Sequence, residues 1–343
     1  MKWRYKAAVQ NCIARLPMSD AIYYALQRYA GDLRPGRFDP MEWVHVTAEM
    51  LDWLHGHGHH ISGARVLEVG TGRALGVPVA LWLCGADQIV TVDLNRYLIP
   101  RLVWDCNQYY RLHGEKIAEV LEKHDLDGGL SQRMRLLADF SGDLAAFMKL
   151  IHVEYCAPAD ARQLPFSDHS FDFHFSYSVL EHVPAPEIAG ILREGKRLLR
   201  PGGVLLHTID LSDHFWYGDS SIQRLNFLRF SEREWQRWAN NKYMYQNRLR
   251  ASEYLRLFAE AGLRIKSEWR TQDERSLQVL KTGFPVHARF RSLPVEELAI
   301  VAMQILAEVP EESFGGIATQ ADNSHPVLHR HLGADGQVRV VDE

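Results

Sequence analysis

The sequence predicts an α/β protein whose sheet is mostly parallel and covered by helices on both faces. Three observations lead there. Short apolar runs alternate with helical stretches from residue 65 to beyond residue 260, and such alternation gives parallel strands joined by crossover helices. The first run, Val66-Leu67-Glu68-Val69, leads into glycines and then a helix, as ligand-binding crossovers do. The chain has 343 residues, 46% hydrophobic and 24% charged, which suits a soluble fold of one large decorated domain or two smaller ones.

The elements follow in order. Residues 1–60 read as a helical cover: in Met41–Leu54 the residues Trp43, Val46, Met50, Leu51 and Leu54 recur at helical spacing. The Gly/His-rich stretch Gly56–Gly63 reads as a linker. After the first strand, Ala74–Cys84 is a helix and Gln88–Val92 a second strand. Residues 97–150 are mostly helical, with a break at Asp127-Gly128-Gly129. Ile151–Cys156 and Phe171–Phe175 are the third and fourth strands, and Ala185–Leu199 is a helix. Val204–Ile209 is the fifth strand, after the turn Pro201-Gly202-Gly203. Residues 211–250 are polar and aromatic and read as an insertion. Ser252–Ala261 is a helix and Arg264–Trp269 a sixth strand. Leu298–Leu306 fits helix or strand, and the tail from Pro310 has weak signals. The expected organisation is a cover over 1–60, a main domain over 61–310 with its insertion, and a tail over 311–343.

Composition removes several function classes. Thirty-nine basic against 43 acidic residues give a net charge of −4, so there is no basic footprint for nucleic acid. The four cysteines form no C-x-x-C pair, which argues against a zinc module or disulfide framework and for a reducing, cytoplasmic setting. The N-terminus shows no signal-peptide pattern, and the longest uncharged apolar run, near Ala74–Ala86, is shorter than the ~20 residues a membrane span needs. A small-molecule partner is expected, with neither nucleic acid nor membrane.

The central motif is Glu68-Val69-Gly70-Thr71-Gly72-Arg73-Ala74-Leu75-Gly76. Gly70 and Gly72 permit a tight turn and close backbone approach to a ligand, and the helix that follows offers free N–H groups. A dinucleotide fingerprint would need glycine at position 75, where Leu75 stands, and no phosphate loop of the G-x-x-x-x-G-K-[ST] type is present. The pattern E-x-G-x-G-x-x-x-G resembles motif I of class I S-adenosylmethionine (SAM)-dependent methyltransferases. Further motifs follow in the family's order. Asp93 ends the second strand 23 residues after Gly70, followed by Leu94. Pro158-Ala159-Asp160-Ala161-Arg162-Gln163-Leu164-Pro165-Phe166 is similar to the third-strand motif. Phe171-Asp172-Phe173 and Ser176-Tyr177-Ser178-Val179-Leu180-Glu181-His182-Val183 are similar to the fourth, and Leu199-Arg200-Pro201-Gly202-Gly203 to the turn before the fifth.

The resemblance implies a Rossmann-like, seven-stranded class I methyltransferase sheet closed by an antiparallel last strand, so Leu298–Leu306 is expected as strand. It implies SAM as cofactor, held by Glu68, Gly70, Thr71, Gly72, Asp93, Leu94, Asp160, Ala161, Ser176 and Tyr177. In this reading Asp93 accepts from both ribose hydroxyls, and Asp160 accepts from the adenine amino group. Arg28, Arg73 and Gln108 are candidates by type for the methionine carboxylate. The segment from His207 to Arg250, together with Tyr23-Tyr24-Ala25-Leu26-Gln27-Arg28, looks like a methyltransferase-like branch found in bacterial glycan and natural-product clusters.

Candidate catalytic residues are Tyr177, His207 and Asp210. Tyr177 stands where related proteins commonly carry a small polar residue, and an aromatic face can stabilise a sulfonium as it does a cation. His207 or His214 can act as a base near neutral pH. Asp213, Arg248 and Arg250 read equally as a structural network of carboxylates and guanidinia. No metal is expected, neither there nor at His55-Gly56-His57-Gly58-His59-His60. Two activities fit: methyl transfer to a small natural-product or glycan precursor, or attack of the SAM amine on its own γ-carbon, giving azetidine-2-carboxylate and methylthioadenosine. A non-catalytic SAM-binding protein is a third reading.

Overall fold

The computed structural model describes residues 2–31, 33–34, 38–310, 325–333 and 338–341. Its helices are α1 (Trp3–Ile13), α2 (Ser19–Ala30), α3 (Met41–Gly56), α4 (Gly76–Leu83), α5 (Pro100–Leu112), α6 (Gly114–Leu121), α7 (Leu130–Asp139), α8 (Leu144–Leu150), α9 (Ala185–Leu198), α10 (Glu232–Gln236), α11 (Ala251–Glu260), α12 (Glu274–Lys281) and α13 (Val295–Leu298). Its strands are β1 (Arg65–Val69), β2 (Gln88–Val92), β3 (Val153–Cys156), β4 (Phe171–Tyr177), β5 (Leu199–Asp210), the short pair β6 (Asn240–Asn241) and β7 (Met244–Tyr245), β8 (Arg264–Asp273), β9 (Ile300–Glu308), β10 (Val327–Leu332) and β11 (Val338–Val341). The chain divides into two units, one of residues 36–176 and 194–206, the other of 1–35, 177–193 and 207–343.

The unit built on 36–176 carries strands in the order β5-β4-β1-β2-β3. β1 pairs parallel with β2 and with β4, and β2 pairs parallel with β3. Four of the five residues in each of β1 and β2 are buried, the continuous burial of a strand covered on both faces. Its helices include α3, whose Val44, Ala48, Leu51 and Leu54 are buried at helical spacing. The last glycine of the loop motif, Gly76, starts α4 under the ring of Trp43: a Cβ there would lie 2.3 Å from the indole. Packing against α3, rather than a ligand, fixes glycine at that position.

In the other unit β8 pairs antiparallel with β9, which lies beside the last residues of β5; the N–H of Leu211 donates to the Val301 carbonyl at 2.8 Å. The antiparallel closing strand expected at Leu298–Leu306 is therefore β9. β10 pairs parallel with β8 and antiparallel with β11, adding two strands to the seven expected. They come from the weakly signalled tail, because β10 reads His329-Arg330-His331 where an apolar pattern would have announced it. Arg330 instead covers the Trp269 ring at 3.8 Å. The stretch Pro201-Gly202-Gly203, expected as a turn, lies within β5, with Gly202 at φ 75°.

The insertion has an aromatic core of its own. Trp3 from α1 packs on Phe215, Phe230 and Trp238 at 5.3–5.7 Å between ring centroids, and its backbone N–H donates to Asp219 at 2.7 Å. Two arginines replace apolar contacts in holding it. Arg248 donates to the carbonyls of Phe227 and Phe230 and pairs with Glu232, and Arg250 donates to the carbonyls of Leu211, Leu298 and Ile300. Both are almost wholly buried. Asp213 accepts from Asn226 and from the N–H of Phe215. All three thus serve the structure, but through carbonyls, an amide and Glu232.

Gly76→Ala is expected to lower unfolding free energy by about 1–3 kcal/mol through overpacking. In a Trp43→Ala background the same change should cost under about 0.5 kcal/mol, since non-additivity marks direct contact. Denaturant midpoints of the four proteins check this.

Candidate functional site

The glycine loop is set by backbone geometry. Gly70 and Gly72 adopt φ 91° and 67°, values that glycine alone takes without cost. The N–H of Gly70 donates to the Val92 carbonyl at 2.8 Å, and that of Gly72 to the Asp93 carboxylate at 2.9 Å. A Cβ on Gly72 would meet nothing within 4 Å, so open space lies over the turn. Beneath it Glu68 accepts from Thr91 at 2.5 Å, and Thr91 meets Thr71 at 2.5 Å.

These carboxyls lie in an unusual environment. Burial pushes Asp93 up to about 7, although the Gly72 N–H pulls the other way. Burial pushes Glu68 up to about 8; Thr91 opposes the rise and Asp93 adds to it. One buried and one half-buried acid with raised values near a loop are what a ligand-binding crevice produces. Leu94, next to Asp93, is 62% exposed, an apolar surface left open beside the carboxylate.

The Asp160 segment is anchored from the end of β2 and from α9. The N–H of Ala159 donates to the Asp93 carbonyl at 2.8 Å. Leu164 donates to Glu194 at 2.7 Å, and Arg197 grips the carbonyls of Leu164 and Phe166. Asp160 pairs with Arg162 at 2.6 Å, which holds its carboxyl below the usual range. Asp160 and Ala161 are half-buried. Ser176, the last residue of β4 in this unit, is fully buried.

The other unit begins with Tyr177, half-buried, followed by Ser178 at φ 52°, a left-handed backbone rare outside glycine. Its N–H donates to the Thr208 carbonyl at 2.9 Å. His207 is wholly buried, its ring edge-on to Phe258 at 5.5 Å. The imidazole that Asp210 pairs with is His214, at 3.1 Å. Asp210 also accepts from the Tyr217 hydroxyl at 2.7 Å and the Ser212 N–H at 2.8 Å. Burial works against the charge on Asp210, but His214 and these donors outweigh it and keep its carboxyl below the ordinary value. Burial likewise opposes charge on His214, and Asp210 overcomes it and raises the imidazole.

One functional candidate escaped the sequence reading. Glu181 is 1% exposed, and neither carboxylate oxygen has a hydrogen-bond partner. Burial pushes it up to about 8, opposed by His214 and reinforced by Asp210. The Leu180–Val183 turn that carries it is clamped by Asn247, whose side-chain amide donates to the Leu180 and Val183 carbonyls at 2.7 and 2.8 Å. The signal available was an acid inside the apolar run Val179-Leu180-Glu181-His182-Val183. By contrast His55 sits 4.9 and 5.0 Å, centroid to centroid, from His60 and His124 in a packed group.

Residues 133–207 match the sequence profile of a family described as a methyltransferase domain. The matched stretch is less than a quarter of the chain and includes Asp160, Ser176 and Tyr177, while the glycine loop precedes it. Among curated proteins none matches the chain. Similar solved structures include a SAM-dependent methyltransferase of Methanosarcina mazei, 16% identical, with 75% of this chain and 98% of that one covered and a TM-score of 0.44. A methyltransferase candidate of Bacillus halodurans is 17% identical, covering 76% and 99%, with a TM-score of 0.40. A SAM-dependent methyltransferase of Mesorhizobium loti is 17% identical, covering 76% and 97%, with a TM-score of 0.37. Over residues 133–207, beside the glycine loop and the strand-end carboxylate, the chain is thus similar to methyltransferase domains. Among the described residues no helix is long and apolar enough to cross a membrane.

The Asp93 environment makes a pH prediction. A carboxyl raised to about 7 is largely neutral at low pH and ionises as pH rises through 7. The ionised form accepts two hydroxyl hydrogen bonds, whereas the neutral form must spend one oxygen as a donor. SAM affinity relative to Asp93→Asn should therefore rise with pH through 7 and level off above it, by up to about tenfold per unit below the midpoint. Unliganded stability should move the opposite way, because the neutral form favoured by burial is lost as pH rises. Calorimetric titrations and melting curves at matched pH check both.

Proposed function

We propose that this protein transfers the sulfonium methyl of SAM to a small-molecule acceptor, a natural-product or glycan precursor. The observation that carries the reading is the Asp93 carboxylate, half-buried and hydrogen-bonded at 2.9 Å to Gly72 in a turn with open space above it. Those groups suit a nucleoside: a carboxylate for vicinal hydroxyls and positive-φ glycines for close approach. Bound SAM supplies an electrophilic methyl on a cationic sulfur.

This chain's residues then hold and shield. Glu68, Gly70, Thr71 and Gly72 shape the floor, Asp93 fixes the sugar, and Leu94 covers an apolar face. Asp160 and Ala161 are offered to the base, by an acceptor oxygen and a backbone N–H. Ser176 and Tyr177 line the end of β4, with the aromatic ring suited to a sulfonium. Within the other unit Asp210 and His214 form a carboxylate–imidazole pair able to take up a proton, and the aromatic, polar insertion suits a small acceptor over a macromolecular one. The net charge of −4 agrees.

Incubation of the purified protein with SAM alone, followed by mass spectrometry, tests the reading. SAM should persist until a small-molecule extract is added, and S-adenosylhomocysteine should then accumulate. Methylthioadenosine with an azetidine amino acid, formed without any acceptor, would assign the intramolecular reaction instead. In Tyr177→Ala, turnover should fall at least tenfold while SAM affinity falls less than threefold, about 0.6 kcal/mol.

A further inference from the structure

We propose that Glu181, His182 and His214 form a binding site for a divalent transition cation of the zinc, cobalt or iron(II) class. Each residue offers one ligand atom, and the three atoms lie within 4.8 Å of one another. Two of the ligands come from the turn after β4, the third from the insertion after β5, all in one unit of the fold. A four-coordinate site with bonds of about 2.0–2.2 Å places neighbouring ligand atoms ~3.3 Å apart. Side-chain rotation of little more than an ångström closes the set.

The surroundings point to a ligand independently of the spacing. Glu181 is buried with both oxygens lacking a partner, the costly condition that a cation relieves. The His182 ring is held by an orienting acceptor, and the His214 ring stands beside a carboxylate. His182 Nδ1 lies 2.6 Å from the Tyr245 carbonyl, and His214 Nε2 lies 3.1 Å from Asp210. For His182 that is the outer arrangement of a metal-ligating histidine, which fixes the tautomer and leaves the other nitrogen for the ion. Asn247 and the Tyr254 hydroxyl behind it, 3.1 Å apart, hold the turn rigid. Two imidazoles and one carboxylate prefer borderline transition ions to magnesium or calcium, which favour all-oxygen shells. Three protein ligands leave a position open, the form of a reactive rather than a structural site.

The test uses the whole chain, stripped with chelator and titrated with Co²⁺ by visible spectroscopy and Zn²⁺ by calorimetry. One ion per chain with d–d bands of low-coordinate Co²⁺ is expected, and excess Mg²⁺ should not displace it. Glu181→Gln, His182→Ala and His214→Ala should each weaken Zn²⁺ at least tenfold, and Asp210→Asn, which only orients His214, about tenfold. Circular dichroism and melting confirm that each variant is folded. His182→Ala, on a residue partly open to solvent, keeps the test valid if Glu181→Gln does not fold. Failure of the unaltered protein to bind Co²⁺ or Zn²⁺ would overturn the proposal. So would binding that survives in folded His182→Ala and His214→Ala, or that is lost instead on replacing His55. SAM binding, measured in the same samples, should be unaffected by the loss of zinc.

Discussion

The hydrogen bond from Gly72 to Asp93 is the constraint on which the glycine-loop crevice depends. It ties the loop after β1 to the end of β2, so the turn and the carboxylate keep one relative position. Gly70 and Gly72 must be glycine because the turn requires φ 91° and 67°. Glu68, Thr91 and Thr71 form the polar floor, which satisfies a carboxyl that parallel strands would otherwise bury without a partner. The result is a crevice with two weakly acidic carboxyls, ready to take up charge when a hydroxyl-rich ligand arrives.

The second unit is organised by a different principle. The insertion cannot rely on sheet pairing, since β6 and β7 are two residues each. It is held by rings around Trp3, Phe215, Phe227 and Trp235 and by the buried guanidinia of Arg248 and Arg250, which collect carbonyls from loops that have no ladder of their own. Satisfying orphan carbonyls in this way is a general requirement for irregular chain inside a fold. The same scaffold presents Asp210, His214, His182 and Glu181, four titratable groups in one polar cluster. Groups brought together so, at a cost in solvation, are functional candidates.

Much of the first unit was legible in the sequence. Val66–Val69 and Gln88–Val92 are short, mostly apolar runs, and the offset from Gly70 to Asp93 leaves room for one helix and one strand. Gly70 and Gly72 are legible for the same reason, since the backbone there demands glycine. The tail was not, because β10 is a polar edge strand whose contacts are an arginine on a tryptophan. Nor was the pairing in the insertion: Asp210 engages His214 four residues on, a helical spacing in a segment that is not helical. Glu181 was visible only as part of a motif, because its significance is its burial, which spacing does not reveal. His207 looked equivalent to His214 by type, and burial against Phe258 for the one and the pairing with Asp210 for the other separate them.

A crystal structure grown with S-adenosylhomocysteine measures the central claim most directly. The ribose hydroxyls should lie within hydrogen-bond distance of Asp93, the adenine beside Leu94 and Asp160, and the amino-acid tail over Gly70 to Gly72. A nucleoside found away from that loop, or an Asp93 carboxylate still bonded only to Gly72 with the ligand bound, would contradict it.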